Sequence, residues 1–327
     1  MNATQGLKGR RLRLLFFVSA WIVRLGFGPS AAKITGTPVE ARKANKAAGW
    51  TTYPLPRDVA MVYDRIESRS GPLLIKKYQP PQLNRDAPRV LFLHGGGWIL
   101  GGVDTLDHLC AKLSRSVQCR IVSVDYRLAP ETPFPGGLED CYDALQWLAS
   151  DASLGPMPAG GIAVVGESAG ANLAAALCVL AARRGGPAIR HQTLIYPCVD
   201  ATLSSPSMND GPPGFRKKDI QQLIGLYRGA AALTDPLLSP LFAENHAQLP
   251  PALIITADLD PARDDGERYA QCLNAAGVPA RYLNYSGMPH GFFFMPRICK
   301  AEAEAHAEIS ATLAALAGGR SCHDLGQ

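Results

Sequence analysis

The chain of 327 residues is thin in charge, with 19% Asp, Glu, Lys and Arg. So little self-repulsion, set against 47% hydrophobic residues, excludes a mainly disordered chain. The net charge is +5 and no long basic block occurs beyond the N-terminus, so a nucleic-acid surface is not indicated. None of the eight cysteines (Cys110, Cys119, Cys141, Cys178, Cys198, Cys272, Cys299, Cys322) forms a C-x-x-C pair. That spacing argues against a zinc site or a disulfide framework and for reduced thiols in a cytoplasmic protein. Internal repeats are missing too. The apolar run 14–23 stops at Arg24, far short of the ~20 residues that span a bilayer. What remains is enough apolar sequence for one large domain with an appendage, or for two domains.

The first fifty residues carry Lys8, Arg10, Arg11 and Arg13 ahead of that run, and Ser30-Ala31-Ala32 after it. The small residues resemble an export cleavage site, but Arg24 follows the run closely. An amphipathic helix covering a pocket, or one making weak contact with a membrane surface, are the other readings. We take residues 1–50 as cap helices, the second over 39–48 and closed by Gly49, with the export signal and the surface helix left open.

From residue 51 the pattern is mostly β alternating with α. Segments 59–63 and 73–78 flank Ser70-Gly71-Pro72 and predict an antiparallel hairpin. Short, apolar, β-branched runs at 89–93, 120–124, 161–165, 193–197, 252–256 and 280–285 predict further strands. Between them, 107–117, 138–150, 171–177, 264–276 and 301–316 read as helices. Alternation of this kind implies a mainly parallel sheet covered on both faces. Residues 201–247 break the rhythm with Pro206, Gly211-Pro212-Pro213-Gly214 and Pro236, and contain one helix near 218–228. They read as an insertion over a pocket. The expected organisation is therefore 1–50 as N-terminal cap, 51–200 with 248–327 as core, and 201–247 as cap insertion.

Gly166-Glu167-Ser168-Ala169-Gly170 lies between the strand at 161–165 and the helix after it. A G-x-S-x-G at that junction is the nucleophile elbow: a turn so tight that its neighbours must be small, with Oγ pushed outward and a helix N-terminus behind it. The motif alone is short enough to arise by chance. About 70 residues earlier, His94-Gly95-Gly96-Gly97-Trp98 follows a strand and leaves backbone N–H groups uncovered, as in an oxyanion loop. No G-K-[ST] follows, which disfavours a phosphate cradle.

A serine hydroxyl needs an adjacent base, and the base an orienting carboxylate. His290 is the best-placed base, just past a strand and beside Gly291. His306 falls in the last helix, His323 in the tail, and His191 and His246 ahead of strands. Asp258, Asp260, Asp264 and Asp265 compete as the acid. The last two suit a helix N-terminus, which leaves Asp260 and Asp258 both open on spacing.

Taken together, the His94-to-Trp98 loop, Asp125-Tyr126-Arg127-Leu128-Ala129-Pro130-Glu131, Phe134-Pro135, the Gly166-to-Gly170 elbow, Asp260-Pro261-Ala262-Arg263-Asp264 and His290-Gly291-Phe292 resemble the hormone-sensitive-lipase family of α/β-hydrolases, which includes bacterial carboxylesterases and acetyl hydrolases. The likeness runs in register from about residue 59 to the last helix. It implies the α/β-hydrolase fold, a helical cap built from the N-terminus and the insertion, and hydrolysis of small, short-chain acyl esters through an acyl-enzyme. It implies Ser168 as nucleophile, Asp260 as acid and His290 as base, with the N–H groups of Gly96, Gly97 and Ala169 as oxyanion hole. Tyr126 and Arg127 would be structural. No cofactor or metal is implied. Ala262 replaces a usual leucine and Glu167 a commoner aspartate, and neither is a proton-transfer group. Lactonase, amidase, deacetylase and membrane-associated lipase activities stay open on the same triad. The family's receptor branch lacks the histidine that this chain keeps. Homo-oligomerisation is open as well.

Overall fold

The computed structural model describes residues 54–210, 215–297 and 299–318. Residues 1–50, expected as N-terminal cap helices, together with residues 211–214, Cys322 and His323, lie outside these residues.

Eight strands form one sheet in the order β1-β2-β4-β3-β5-β6-β7-β8. They are β1 (Ala60–Ser68), β2 (Gly71–Gln79), β3 (Arg89–Leu93), β4 (Ile121–Val124), β5 (Ile162–Glu167), β6 (Ile189–Ile195), β7 (Ala252–Leu259) and β8 (Ala280–Pro289). β1 and β2 make the expected antiparallel hairpin, with Ser68 opposite Gly71. β2 also runs antiparallel to β4, and every later pairing is parallel. The connecting helices are α1 (Asp107–Val117), α2 (Gly136–Ser150), α3 (Ala169–Arg184), α4 (Lys217–Tyr227), α5 (Arg263–Ala275) and α6 (Ala301–Ala317).

The strands sort their side chains by parity. In β3, Leu91 and Leu93 enter a core shared with α2, α3 and α5, whereas Val90 and Phe92 enter a second core against α1 and α6. The same split divides Val164 from Val165 and Ile254 from Ile255. With a strand period of two and apolar residues at both parities, each central strand must be covered on both faces.

Several strand boundaries differ from the sequence reading. β6 starts at Ile189, so His191 lies inside the strand, fully buried, with Nε2 3.0 Å from Thr193 Oγ1. Burial pushes this imidazole down to about 3. Tyr196 and Pro197 fall beyond the strand. β7 and β8 continue past their apolar runs to Leu259 and Pro289. These extensions are largely half-buried and mixed in polarity, which is why apolar runs alone did not mark them. They carry Asp260 and His290 to the carboxyl edge of the sheet.

That edge gathers the motif loops. Leu93 pairs with Gly166, so the glycine loop leaves β3 beside the elbow leaving β5. Tyr126 fixes the loop's first residue, its hydroxyl donating to the His94 carbonyl at 2.7 Å and its ring stacked on the His94 ring at 4.2 Å. Arg127 clasps the buried Asp140 carboxylate on α2 through its backbone N–H, Nε and Nη2. Both residues therefore serve the scaffold.

Leu194 is fully buried in β6. Leu194→Ala should lower unfolding free energy by about 2–5 kcal/mol, seen as a lower urea midpoint with an unchanged slope.

Candidate active site

Ser168 stands between β5 and α3 with φ 53° and ψ −118°. A serine held at positive φ is strained, and only its surroundings keep it there. Its N–H donates to the Ile195 carbonyl at 2.9 Å, while its own carbonyl accepts from Ala171 and Asn172. The glycines are required by contact. A Cβ on Gly166 would run into the Gly170 carbonyl, and a Cβ on Gly170 into the Leu93 carbonyl. The helix start is thereby pressed against the end of β3.

Ser168 Oγ lies 2.8 Å from His290 Nε2, and His290 Nδ1 lies 2.7 Å from Asp260 Oδ2. The Asp260 side chain is 0% exposed, and its Oδ1 accepts from the Ala262 N–H at 2.8 Å. The other acids are engaged elsewhere. Asp258 Oδ2 accepts from Gly287 N–H, Asp264 from Ser207 N–H and Arg263 Nε, and Asp265 from the Ser205 hydroxyl and Asp200 N–H. Of the other histidines, His306 is buried on α6, His246 sits in a short turn, and His191 is inside β6.

Burial alone would lower the His290 pKa; the charge and hydrogen bond of Asp260, with Glu167 adding to them, more than reverse this and hold it above the ordinary imidazole value. Glu167 itself is 1% exposed. Burial pushes its carboxyl up to about 7, with the Tyr196 phenol, Gly95 and His290 near enough to influence it. The carboxyl packs on Gly95 so closely that a Cβ there would overlap Oε2, and Oε2 has no hydrogen-bond partner among the described residues.

The backbone N–H groups of Gly96, Gly97 and Ala169 donate to no acceptor among the described residues. Gly96 and Gly97 have φ of 121° and 61°, a region that favours glycine. A Cβ on Gly96 would meet the Leu100 carbonyl, and one on Gly97 would sit 2.9 Å from Leu223 Cδ1 on α4. Trp98 finishes the loop. Its indole donates to Asn172 Oδ1 at 3.2 Å and its ring stacks on Tyr227 at 4.7 Å. Asn172 in turn donates to the Cys198 and Leu238 carbonyls, joining the loop, the elbow helix and the 201–247 segment.

Three residues around the site belong to no motif. Tyr196 sits in an apolar run that reads as a strand, and Asn172 among the Ala and Leu residues of the elbow helix. Phe215, whose ring lies 4.2 Å from that of His290, follows a Gly/Pro stretch with no periodicity to mark it. Among the described residues no cluster of His, Cys, Asp or Glu is arranged to hold a metal ion, and no helix is long and apolar enough to cross a membrane.

A sheet in which β2 alone runs against the other strands, carrying a strained serine, a histidine and an acid at its carboxyl edge, defines the α/β-hydrolase class. A family model of the alpha/beta hydrolase fold matches residues 90–294, more than half of the chain. The chain is 38% identical over 258 residues to esterase LipI of Mycobacterium tuberculosis, covering 77% of this chain and 81% of that one. It is 36% identical over 244 residues to an ethyl acetate hydrolase of Pseudomonas putida, covering 71% and 76%. An alpha/beta hydrolase enzyme from the metagenome of Lake Arreo superposes with a TM-score of 0.86 at 32% identity, over 94% of this chain and 97% of that one. The chain belongs to the hormone-sensitive-lipase family of α/β-hydrolases.

Because the raised His290 pKa depends on Asp260, Asp260→Asn should drop the imidazole below ~6.5, its unperturbed value. NMR titration of the His290 ring reads this. A folded-state pKa above the unfolded one contributes stability below ~6.5 that is lost as pH rises through the folded value. That contribution should be missing in the variant.

Proposed function

We propose that Ser168, His290 and Asp260 act as nucleophile, general base and orienting acid of a serine carboxylic-ester hydrolase working on small, short-chain acyl esters. The observation that carries this reading is the unbroken chain from Ser168 Oγ to His290 Nε2 at 2.8 Å and from His290 Nδ1 to Asp260 at 2.7 Å, with the backbone N–H groups of Gly96, Gly97 and Ala169 unengaged among the described residues.

His290 Nε2 takes the Ser168 proton as Oγ attacks the ester carbonyl carbon. The carbonyl oxygen becomes an oxyanion and accepts from the N–H groups of Gly96, Gly97 and Ala169. The intermediate collapses, the C–O bond to the alcohol breaks, and His290 returns its proton to the leaving oxygen. Water then enters, gives a proton to His290 and attacks the acyl-serine. A second oxyanion forms and collapses, Ser168 recovers the proton, and the carboxylic acid leaves. Asp260 keeps its charge throughout, fixing the ring and stabilising the imidazolium.

Residues 201–247 form one part of the cap in this reading, supported by Leu223 against Gly97 and Phe215 against His290. Residues 1–50 are taken as the other part. The reading includes action in the cytoplasm, supported by seven free thiols among the described residues.

A fluorophosphonate probe, mapped by mass spectrometry, should label Ser168 alone. Ser168→Ala should abolish labelling and cut turnover of short p-nitrophenyl esters by roughly 10⁴–10⁶-fold. Labelling elsewhere would overturn the assignment, and faster turnover of matched amides or long-chain esters would change the substrate class. Gly96→Ala, forced against the Leu100 carbonyl, should cost about 10²–10³ in kcat with little change in KM. A main effect on KM would remove Gly96 from the oxyanion hole.

A further inference from the structure

Two aromatic rings lie against the imidazole of His290. Tyr196 follows β6 directly, its centroid 4.5 Å away with the planes at 54°. It is completely buried and packed with Phe292 and Phe293. Phe215 comes from the 201–247 segment, with its centroid at 4.2 Å and its plane 28° from the imidazole. Of the two, Phe215 meets the imidazole face to face, and it is half-buried rather than locked in a core.

That arrangement matters because His290 changes charge during the reaction. It is neutral when it accepts the serine proton and cationic once the tetrahedral oxyanion has formed. The face of a benzene ring carries a negative quadrupole and attracts a cation far more than a neutral ring, the more so where water is scarce. The His290 side chain is 15% exposed, so little water competes. A contact favouring the cation strengthens between ground and transition states, which is what lowers a barrier. The other groups influencing the imidazole are Asp260 at Nδ1, Ser168 at Nε2, Glu167 from β5 and the Tyr196 phenol. Among the described aromatic rings, only that of Phe215 is stacked on the imidazole; that of Tyr196 is tilted against it.

We propose that Phe215 is a positioning residue for the imidazolium, its ring face holding the positive charge that His290 acquires at each tetrahedral step. The 201–247 segment then contributes to the chemistry, beyond shaping the pocket. This rests on His290 being the general base.

The test separates ring shape from ring charge. Position 215 is replaced by leucine, tyrosine, tryptophan and, by nonsense suppression, pentafluorophenylalanine, which keeps a similar shape but reverses the quadrupole. For each full-length variant, kcat and KM on a short p-nitrophenyl ester are followed against pH. Phe215→Leu and the pentafluoro variant should lose about two- to five-fold in kcat, with KM nearly constant. The acid limb of kcat/KM should move down by about 0.4–0.7 pH units. Phe215→Tyr and Phe215→Trp should stay close to wild type. A pentafluoro variant matching wild type in both kcat and acid limb would overturn the proposal, as would losses confined to KM. Fluorophosphonate labelling runs alongside: no label on Ser168 in the wild-type protein would sink the hydrolase reading itself, whereas intact labelling with an unmoved pH profile sinks only the role of Phe215.

Discussion

The contact between His290 and Ser168 joins residues 122 positions apart, and no local preference of either loop could hold it to hydrogen-bond length. The sheet does so. β5 leads into the serine, β8 ends one residue before the histidine, and β7 ends one residue before Asp260. Parallel pairing in fixed register brings those strand ends to one edge. The two cores that enforce this register, one on each face, therefore have as much to do with the chemistry as the reacting side chains.

A second constraint is closeness of backbone. The elbow and the glycine loop leave adjacent strands and are pressed together, with Gly170 against the Leu93 carbonyl and Gly95 against the Glu167 carboxyl. Side chains at these glycines would force the two segments apart. Positive φ at Ser168 belongs to the same compression: α3 starts immediately behind the serine, and its unpaired end faces the site. The buried Glu167 fits this picture as a filler of the space beside Gly95, its carboxyl displaced toward the neutral form by burial.

Much of this was legible in the residues, for physical reasons. Ser168 and the glycine loop stand out because a tight turn tolerates so few residue types. The strands stand out because two-sided burial demands unbroken apolar runs. Asp260 was harder to read. Asp258 also lies just after the apolar run, and the family resemblance is what favours Asp260. In the structure the two separate plainly, with Asp258 inside β7 and held by Gly287 N–H while Asp260 meets the imidazole. The extensions of β7 and β8 are mixed in polarity and carry no unbroken apolar run. Phe215 was invisible because its meeting with His290 depends on where an aperiodic segment lands, which is a tertiary fact.

The central claim is that His290 makes Ser168 a nucleophile that carries the acyl group. An acid-quenched single turnover with p-nitrophenyl acetate, analysed by intact and peptide mass spectrometry, tests it directly. The account predicts a burst of p-nitrophenol matched by an acetyl group on the peptide containing Ser168, and no burst in His290→Ala. Steady hydrolysis without an acyl-serine, or an undiminished burst in His290→Ala, would contradict it.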